Sequence, residues 1–376
     1  MLKKINQFIK NKPANLFFVS NVTLISIFFS IPSRAVDFEK TMKQTPAGVE
    51  LFASGGHAYC EVSTEKNSKI AGYHTDELVS IASVSKIFTS LWALEVLGAD
   101  FRFQNNIYIW PGTNKDTYNV HISGSLDPAM SRQSVYLILS ELNRLGINNI
   151  QELTFDENFR VFLDVLIRSV KEDPEQGFNS WTSIDETQNN LQVLFNRSQW
   201  TQNTLDKYNG FAKYVTAVGL KLPQSVNIKA EKVYNIPRQE AAQRLAQIQA
   251  SGVGVKKYTQ RSSPLYTYLK KMNVKSNNYM SDTLWLRLGG EAAFNKHATE
   301  KWKFTDKDLQ FHSGSGLPDR RGGKRKDNLA TCNTVTLILK RLESVLQKSE
   351  LDLTDVMMVS GVDQGTLGSL GRSEWT

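Results

Sequence analysis

Apolar residues recur at helical spacing in the segment that follows Ser83. The positions are Val84, Ile87, Phe88, Leu91, Leu94 and Leu97. Apolar residues three and four positions apart predict a helix with a buried face, and Gly98 is a natural helix stop. Ser83 therefore lies at the start of a predicted helix.

The remaining pattern predicts a chain of mixed helices and strands. Alternating apolar and polar residues bounded by glycine predict short strands with hairpin turns over residues 48–75. Strands are also predicted at 107–110 and 119–123, and helices near 133–145, 203–216 and 238–250, from 264 onwards, and over 333–347. Residues 101–260 differ from their flanks, because acidic and amide-rich stretches are punctuated there by Pro223 and Pro237. We interpret this region as an insertion.

The first 35 residues have the pattern of an export signal. Five basic residues and no acidic ones precede Asp37, and residues 16–31 are mostly apolar. Ser33 and Ala35 provide the small residues three and one positions before a possible cleavage after Ala35. The apolar stretch is short for a membrane span, which needs about 20 residues. We predict a signal peptide over residues 1–35 and export to the periplasm, with an uncleaved N-terminal membrane anchor as the alternative.

Composition and charge narrow the possible classes of protein. The chain has 376 residues, of which 40% are hydrophobic and 22% charged, as is ordinary for a globular protein of two or three domains. Its formal net charge of +8 suggests a polyanionic partner. Without the five basic residues of the export signal, the chain has 40 basic and 37 acidic residues, so its net charge is close to neutral. We therefore expect no nucleic-acid partner, and membrane contact only through the signal or anchor.

The cysteines and histidines argue against a metal site. Cys60 and Cys332 are too few for a disulfide framework or a four-thiolate zinc site. In an oxidising compartment they either pair or remain two buried thiols. The five histidines have no metal-binding spacing. We expect no metal.

Ser83 and Lys86 form a Ser-x-x-Lys box at the start of the first predicted helix. Residues at this spacing share one helix face, so the amine can lie beside the hydroxyl, near the positive end of the helix dipole. A lysine buried near other cations loses its proton readily and can act as the base for serine attack. Ser63 and Lys66 also fit the pattern, but we interpret their polar stretch as exposed surface.

Ser276, Asn277 and Asn278 form a second polar box between two predicted helices. A loop there can direct a second hydroxyl and a carboxamide at Ser83, although the same residues are ordinary in a turn. Active sites of penicillin-binding proteins and class A β-lactamases contain Ser-x-x-Lys and Ser-Asp-Asn boxes in this order. The separation of 193 residues is too long for a simple β-lactamase helical domain and requires an inserted domain.

With these boxes, the chain resembles the D-alanyl-D-alanine carboxypeptidase/endopeptidase family that includes penicillin-binding protein 4 (peptidase family S13). The resemblance runs from about Val49 to the end of the chain. It is carried by IASVSKIFTSLWALEVLGADFRF around Ser83, by ISGSLDPAMS with LSELNRLGINNIQELTFDENF, and by SSPLYTYLKKMNVKSNNYMSDTLWLRLGG around Ser276. SGSGL (313–317), DNLAT (327–331) and GTL (365–367) are similar to later landmarks of the family.

This resemblance implies an α/β (α+β) fold of the penicillin-binding-protein/β-lactamase-like serine transpeptidase type. It implies a catalytic domain split into residues 36–103 and 260–376 by an inserted domain at 104–259. Ser83 would be the nucleophile and Lys86 its base. Ser276 would relay a proton to the leaving amine, and Asn278 would hydrogen-bond the substrate or Lys86. No cofactor is implied.

The sequence also departs from the family pattern. Ser313 stands where the family usually has Asp, and Pro318 replaces a usual Ser. No Lys-Thr-Gly box follows the GTL segment before Thr376. In the family this box binds the substrate carboxylate, and later strands complete the central sheet. We therefore expect a C-terminally truncated chain that lacks the last sheet strands.

The predicted function is that of a periplasmic serine D-Ala-D-Ala carboxypeptidase/endopeptidase. It would act on peptidoglycan stem peptides through an acyl-enzyme, and β-lactams would inhibit it. Two alternatives stay open. The early end of the chain favours an inactive truncated homologue that binds peptidoglycan without catalysis. The Ser-x-x-Lys box is also compatible with another serine hydrolase, such as a β-lactamase or an esterase.

Overall fold

A computed structural model describes residues 14–19, 27–29, 59–63, 71–161, 183–217, 222, 226–319, 324–359 and 362–363. Within these ranges the chain is a mixed α/β structure. The strands are β1 (Ala14–Val19), β2 (Ile27–Phe29), β3 (Tyr59–Ser63), β4 (Ala71–Tyr73), β5 (Val79–Ser80), β6 (Gln104–Pro111), β7 (Tyr118–Ser123), β8 (Asn149–Phe155), β9 (Lys229–Asn235), β10 (Lys256–Arg261), β11 (Leu309–Gln310) and β12 (Leu329–Ala330). The α-helices are α1 (Ser85–Leu97), α2 (Arg132–Arg144), α3 (Ile184–Leu194), α4 (Gln202–Ala217), α5 (Arg238–Ala250), α6 (Leu265–Val274), α7 (Asn278–Arg287), α8 (Gly290–His297) and α9 (Cys332–Gln347).

Most of the elements predicted from the sequence are confirmed. The helix predicted after Ser83 is α1, which ends just before Gly98. The other predicted helices are α2, α4, α5, α6, α7 and α9, and the strands predicted at 107–110 and 119–123 are β6 and β7. Of the hairpins predicted over 48–75, β3 and β4 pair, whereas the segment 49–52, residues 64–70 and the GTL landmark lie outside the described residues.

Several of the described elements were not predicted from the sequence: the strands β5, β8, β9, β10, β11 and β12, and the helices α3 and α8. β1 and β2 were not predicted either, since their residues were interpreted as part of an export signal. The edge strands β9 and β10 carry many charged and exposed side chains. Charged residues are a common protection of a sheet edge against pairing with other chains. These strands therefore lack the alternating apolar pattern by which strands are predicted.

One compact unit comprises Phe101–Glu172 and Asn179–Pro264. It contains a five-stranded sheet in the order β10-β6-β7-β8-β9. β10, β6 and β7 are antiparallel, while β8 and β9 run parallel to β7. The connection from β7 to β8 passes through α2, since parallel strands need such a crossover. The core of this unit includes Ile107, Val120 and Leu153, which are fully buried.

The other unit comprises residues up to Asp100 and those from Leu265 onwards. The domain boundaries predicted at 103/104 and 259/260 lie within a few residues of these limits. Helix α1 is central in this unit, because α6, α7 and α9 all pack against it. A helix buried on all sides is normally apolar. Yet α1 buries Ser85, Lys86 and Thr89, and the partners of these polar groups define the site described below.

Two antiparallel sheets belong to this second unit, with strand orders β2-β1-β3-β4 and β11-β12-β5. β1 and β2 fall within the segment predicted as an export signal, and β1 pairs with β3. The signal peptide stays a prediction, since the pairing describes the chain before any cleavage. Cys332, the first residue of α9, is disulfide-bonded. Among the described helices, none combines the length and apolar character needed to cross a membrane.

Candidate active site

The Ser-x-x-Lys box lies where a 3₁₀ turn, Ala82–Val84, meets the first residue of α1. Ser83 is exposed to solvent, whereas Lys86 is only 2% exposed. The Lys86 Nζ atom lies 3.1 Å from Ser83 Oγ, within hydrogen-bonding distance. The structure thus places a buried amine directly behind an accessible hydroxyl.

The second box reaches the same place from the turn between α6 and α7. Ser276 Oγ donates a hydrogen bond to Ser83 Oγ at 3.1 Å, and Lys86 Nζ donates to Asn278 Oδ1 at 2.7 Å. Asn277 instead caps α7, because its Oδ1 accepts from the Met280 N–H at 3.0 Å. The four residues predicted as site residues therefore converge, and the middle residue of the box supports the helix.

Ser276 occupies a position that usually belongs to glycine. Its φ is +48°, in the left-handed region. The Ser276 N–H donates to the Asn273 carbonyl at 3.2 Å, and the Asn277 N–H donates to the Met272 carbonyl at 2.9 Å. This is the Schellman pattern of a helix end, in which glycine is preferred at the left-handed residue. A side chain there costs about 1–2 kcal/mol, so the Ser276 hydroxyl is placed at the site at the cost of local backbone strain.

A third segment, the SGSGL landmark at 313–317, completes the site, although the sequence assigned it no role there. The Ser315 carbonyl accepts a hydrogen bond from Lys86 Nζ at 2.9 Å. The N–H of the same residue donates to Asp282 Oδ1 at 2.7 Å, and Asp282 is 2% exposed. Asp282 lies four residues after Asn278 and hence on the same face of α7. That spacing was the signal available in the sequence.

Two glycines allow this third segment to approach α1 and α7 closely. A Cβ atom at Gly316, whose φ is +83°, would lie 1.8 Å from the Ala82 carbonyl oxygen. A Cβ atom at Gly314 would lie 2.7 Å from the Ser281 carbonyl oxygen. The Gly314 carbonyl accepts hydrogen bonds at 2.8 Å from the hydroxyls of Thr89 and Ser281. Larger residues at either glycine would push the Ser315 carbonyl away from Lys86.

Asn328 ties the start of α1 to the third segment. Its side chain is fully buried, and its Nδ2 donates to Ser85 Oγ at 3.0 Å and to the Ser313 carbonyl at 2.7 Å. Its Oδ1 accepts from the His312 N–H at 2.8 Å. Ser313, where the family usually has Asp, donates through Oγ to the Leu317 carbonyl at 2.8 Å. The serine at this position therefore stabilises the 313–317 loop through a hydrogen bond within that loop.

Burial changes the proton affinity of Lys86. Loss of hydration lowers the pKa of Lys86 from 10.5 to about 8, while the charge of Asp282 opposes this shift. Burial raises the pKa of Asp282 to about 7. Burial was one expected cause of this lowered pKa and is confirmed, whereas the cations expected beside the lysine are not what lowers it. The charged neighbour is a carboxylate, and desolvation is the cause of the lowered pKa.

In its neutral form, the Lys86 amine has a hydrogen-bonding partner for each of its N–H groups and for its lone pair. A neutral amine has two N–H donors and one lone pair, since an ammonium has three donors. The Ser315 carbonyl and Asn278 Oδ1 act as acceptors for the two N–H groups. The lone pair then faces Ser83 Oγ, whose O–H can donate to it. Such a set can accept the hydroxyl proton during nucleophilic attack.

No group of three or more His, Cys, Asp or Glu side chains is placed to hold a metal ion within the part of the chain that the structure describes. The site itself is made of two hydroxyls, an amine and an amide. The absence of a cofactor stays a prediction from the sequence.

Solved structures define the class to which this fold belongs. The chain is similar to Bd3459, a predatory peptidoglycan endopeptidase from Bdellovibrio bacteriovorus, at 31% identity with a TM-score of 0.69 over 82% of this chain and 74% of that one. It is also similar to Bd0816, a predatory endopeptidase of the same organism, at 28% identity and a TM-score of 0.67 over 82% and 75% of the chains. The predicted penicillin-binding-protein/β-lactamase-like α/β fold is confirmed.

Sequence comparisons give the family. A sequence model of the D-Ala-D-Ala carboxypeptidase 3 (S13) family matches residues 56–181. The D-alanyl-D-alanine carboxypeptidase DacB of Haemophilus influenzae is 26% identical over 134 residues, which are 34% of this chain and 26% of that protein. The match thus spans about a quarter of that relative's length. Together with the similarity to Bd3459, these matches establish that the chain belongs to the S13 family, as its motifs predicted.

Proposed function

We propose that this chain is a serine peptidase that acts on peptidoglycan peptides through an acyl-enzyme. The contact between Lys86 Nζ and Ser83 Oγ, at 3.1 Å, carries this proposal. It joins an exposed nucleophile to a buried base with a lowered pKa, as nucleophilic catalysis by a serine requires. The finer assignment is to a D-Ala-D-Ala carboxypeptidase/endopeptidase.

In the proposed reaction, Ser83 Oγ attacks the carbonyl carbon of the scissile peptide bond while Lys86 accepts the hydroxyl proton. The carbon–nitrogen bond then breaks, and the leaving amine takes a proton from the Ser276 hydroxyl. The Lys86 ammonium returns to Ser276 the proton that it took from Ser83, because Ser83 Oγ is now the ester oxygen and carries no proton. Water next attacks the acyl ester, releases the peptide carboxylate and restores the Ser83 hydroxyl. Asn278 holds the Lys86 amine in place through the 2.7 Å hydrogen bond.

The relatives support the substrate class and the inhibitors. Bd3459 is a peptidoglycan endopeptidase, and one of its structures is acylated by penicillin G. DacB is a D-alanyl-D-alanine carboxypeptidase. We therefore place β-lactams among the ligands of this chain, with attachment at Ser83. The pattern of residues 1–35 supports export, so the proposed location is the periplasm.

Acylation by a labelled penicillin, followed by intact-mass spectrometry, tests the proposal. We expect one penicilloyl adduct on the wild-type chain and on a Ser251→Ala control, whose hydroxyl bonds only the neighbouring Ile248 carbonyl among the described contacts. We expect none on Ser83→Ala. A well-folded wild-type chain without an adduct would contradict the proposed activity while leaving the family assignment intact.

The same experiment separates the alternatives. Steady hydrolysis of penicillin without a long-lived adduct would identify a β-lactamase. Retention on insoluble peptidoglycan without any adduct would identify a non-catalytic binder. Where the adduct forms, purified muropeptides distinguish the two peptidase activities: a carboxypeptidase releases free D-alanine, whereas an endopeptidase converts cross-linked dimers into monomers.

A further inference from the structure

Asp282 is a buried carboxylate to which the proposed reaction assigns no role. It lies on α7 and is 2% exposed. A buried carboxylate is costly unless several donors satisfy it. The donors here are the Ser315 N–H at 2.7 Å, together with the Gly314 N–H and the Ser315 hydroxyl. The carboxylate is thus bound to the segment that carries the Ser315 carbonyl.

Through this segment, Asp282 is connected to the base. The Ser315 residue is held by the carboxylate on its N–H side, and its carbonyl accepts from Lys86 Nζ at 2.9 Å. The position of that carbonyl decides which direction remains for the lone pair of a neutral Lys86. If the carbonyl moves away, one Lys86 N–H loses its acceptor, and the amine can turn an N–H instead of the lone pair toward Ser83.

We propose that Asp282 is a positioning residue for the base of the proposed serine peptidase reaction: it fixes the 314–315 segment that orients Lys86, and its charge sets how readily Lys86 releases its proton. This inference rests on the proposed function. It assigns Asp282 no contact with substrate, so its effect is transmitted entirely through Lys86.

The surroundings of Lys86 make Asp282 the dominant electrostatic partner. The 3₁₀ turn contributes the neutral Ser83 hydroxyl, α7 contributes the Asn278 amide, and the third segment contributes a carbonyl. The helices α6 and α9 also pack against α1. Within the described residues, the charged group of α9 that reaches α1 is Arg341, which binds Glu95 at the opposite end of α1. The contact from α6 is the neutral Asn273 amide, which donates to Ser90.

The sign of the electrostatic effect follows from the charges. A negative Asp282 stabilises the ammonium form of Lys86 and so raises its pKa, against the lowering by burial. Asp282→Asn keeps an oxygen that accepts from the Ser315 N–H and removes the charge. Asp282→Ala removes both. The two variants therefore separate the electrostatic contribution from the positioning contribution.

The test is the rate constant of penicillin acylation measured as a function of pH. The midpoint is the pH at which the rate constant reaches half of its limiting value. In Asp282→Asn we expect this midpoint to shift to lower pH by about one unit, the scale expected for loss of a nearby opposite charge. In Asp282→Ala we also expect the limiting rate to fall by about tenfold or more, as for misplacement of a catalytic group. The control is Asp156→Asn in the five-stranded unit, another fully buried aspartate that accepts a backbone hydrogen bond, from Gly124 at 2.9 Å. It should leave the midpoint unchanged.

Three results have separate meanings. An unchanged midpoint in folded Asp282→Asn would overturn the inference while acylation itself upholds the proposed function. An equal shift in Asp156→Asn would overturn it as well, since the effect would then be global. If the wild-type chain is not acylated, that result contradicts the proposed function itself, on which the inference about Asp282 rests. If Asp282→Asn does not fold, Ser315→Ala replaces it: loss of one donor to the carboxylate should shift the midpoint in the same direction by a smaller amount, and no shift would overturn the inference.

Discussion

The hydroxyl oxygens of Ser83 and Ser276 lie 3.1 Å apart, although 193 residues separate them along the chain. Ser83 is held at the start of α1 and Ser276 at the end of α6, and these two helices pack against each other. The contact gives Ser83 two hydrogen-bonding neighbours, the Ser276 hydroxyl and the Lys86 amine. In the proposed reaction, Ser83 gives its proton to Lys86, and Ser276 supplies the proton of the leaving group.

Acylation of the wild-type chain should depend on pH through Lys86. The folded-state pKa of Lys86 is lowered to about 8, and the neutral amine is the form that can accept a proton. The acylation rate should therefore rise as the pH increases through about 8 and then level off. Stopped-flow or quenched mass measurements between pH 6 and 10 would check this. A rate that stays flat, or falls, across this range would contradict a base role for Lys86.

Replacement of Lys86 by methionine should remove the base without unfolding the protein. We expect acylation to fall by about 10²–10⁴-fold, the usual contribution of general acid–base catalysis. The melting temperature should fall only moderately, because Asn278 Oδ1 and the Ser315 carbonyl lose their donor, while an apolar side chain of similar length avoids the cost of burying an amine.

Lys270→Met is the matched control for this replacement. Lys270 donates at 3.0 Å to the Thr354 carbonyl and at 2.7 Å to the Met357 carbonyl, so its loss should lower the melting temperature and preserve acylation. The opposite pattern in the two variants would show that Lys86 is structural rather than catalytic.

Two substitutions of Ser276 separate its chemistry from its backbone strain. Both Ser276→Ala and Ser276→Gly remove the hydroxyl, so both should slow turnover of peptide substrates by about 10²-fold or more. Glycine adopts a φ of +48° freely. The glycine variant should therefore be more stable than the alanine variant by about 1 kcal/mol, as measured by urea unfolding. Full activity in either variant would exclude a proton relay through Ser276.

A methyl group at Gly316 should be far more harmful than one at a comparable open glycine. Its Cβ would meet the Ala82 carbonyl oxygen at 1.8 Å, whereas Gly252 has a similar φ of +79° with nothing within 4 Å. We expect Gly316→Ala to cost about 3 kcal/mol or more through steric overlap and left-handed strain. Gly252→Ala should cost about 1–2 kcal/mol. Equal losses in urea unfolding would mean that the close approach to Ala82 is unimportant.

Local patterns were sufficient to predict most of the helices and two of the central strands. Helix α1 is an example, because its apolar spacing and its stop at Gly98 are properties of neighbouring residues. The strands β9 and β10 were not found, because many of their side chains are exposed at the two edges of a sheet. Whether a strand is an edge strand depends on its partners, which a single sequence does not contain.

The sequence by itself was sufficient to predict the residues of the proposed chemistry. Ser83 and Lys86 lie three residues apart at a helix start, so helix geometry alone brings them together. The contacts of Asn278 with Lys86, and of Asp282 with Ser315, were decided only by the tertiary structure. They join segments far apart in the chain, and packing alone fixes such distances. Burial is also a property of the folded molecule, and burial rather than nearby cations is what lowers the pKa of Lys86.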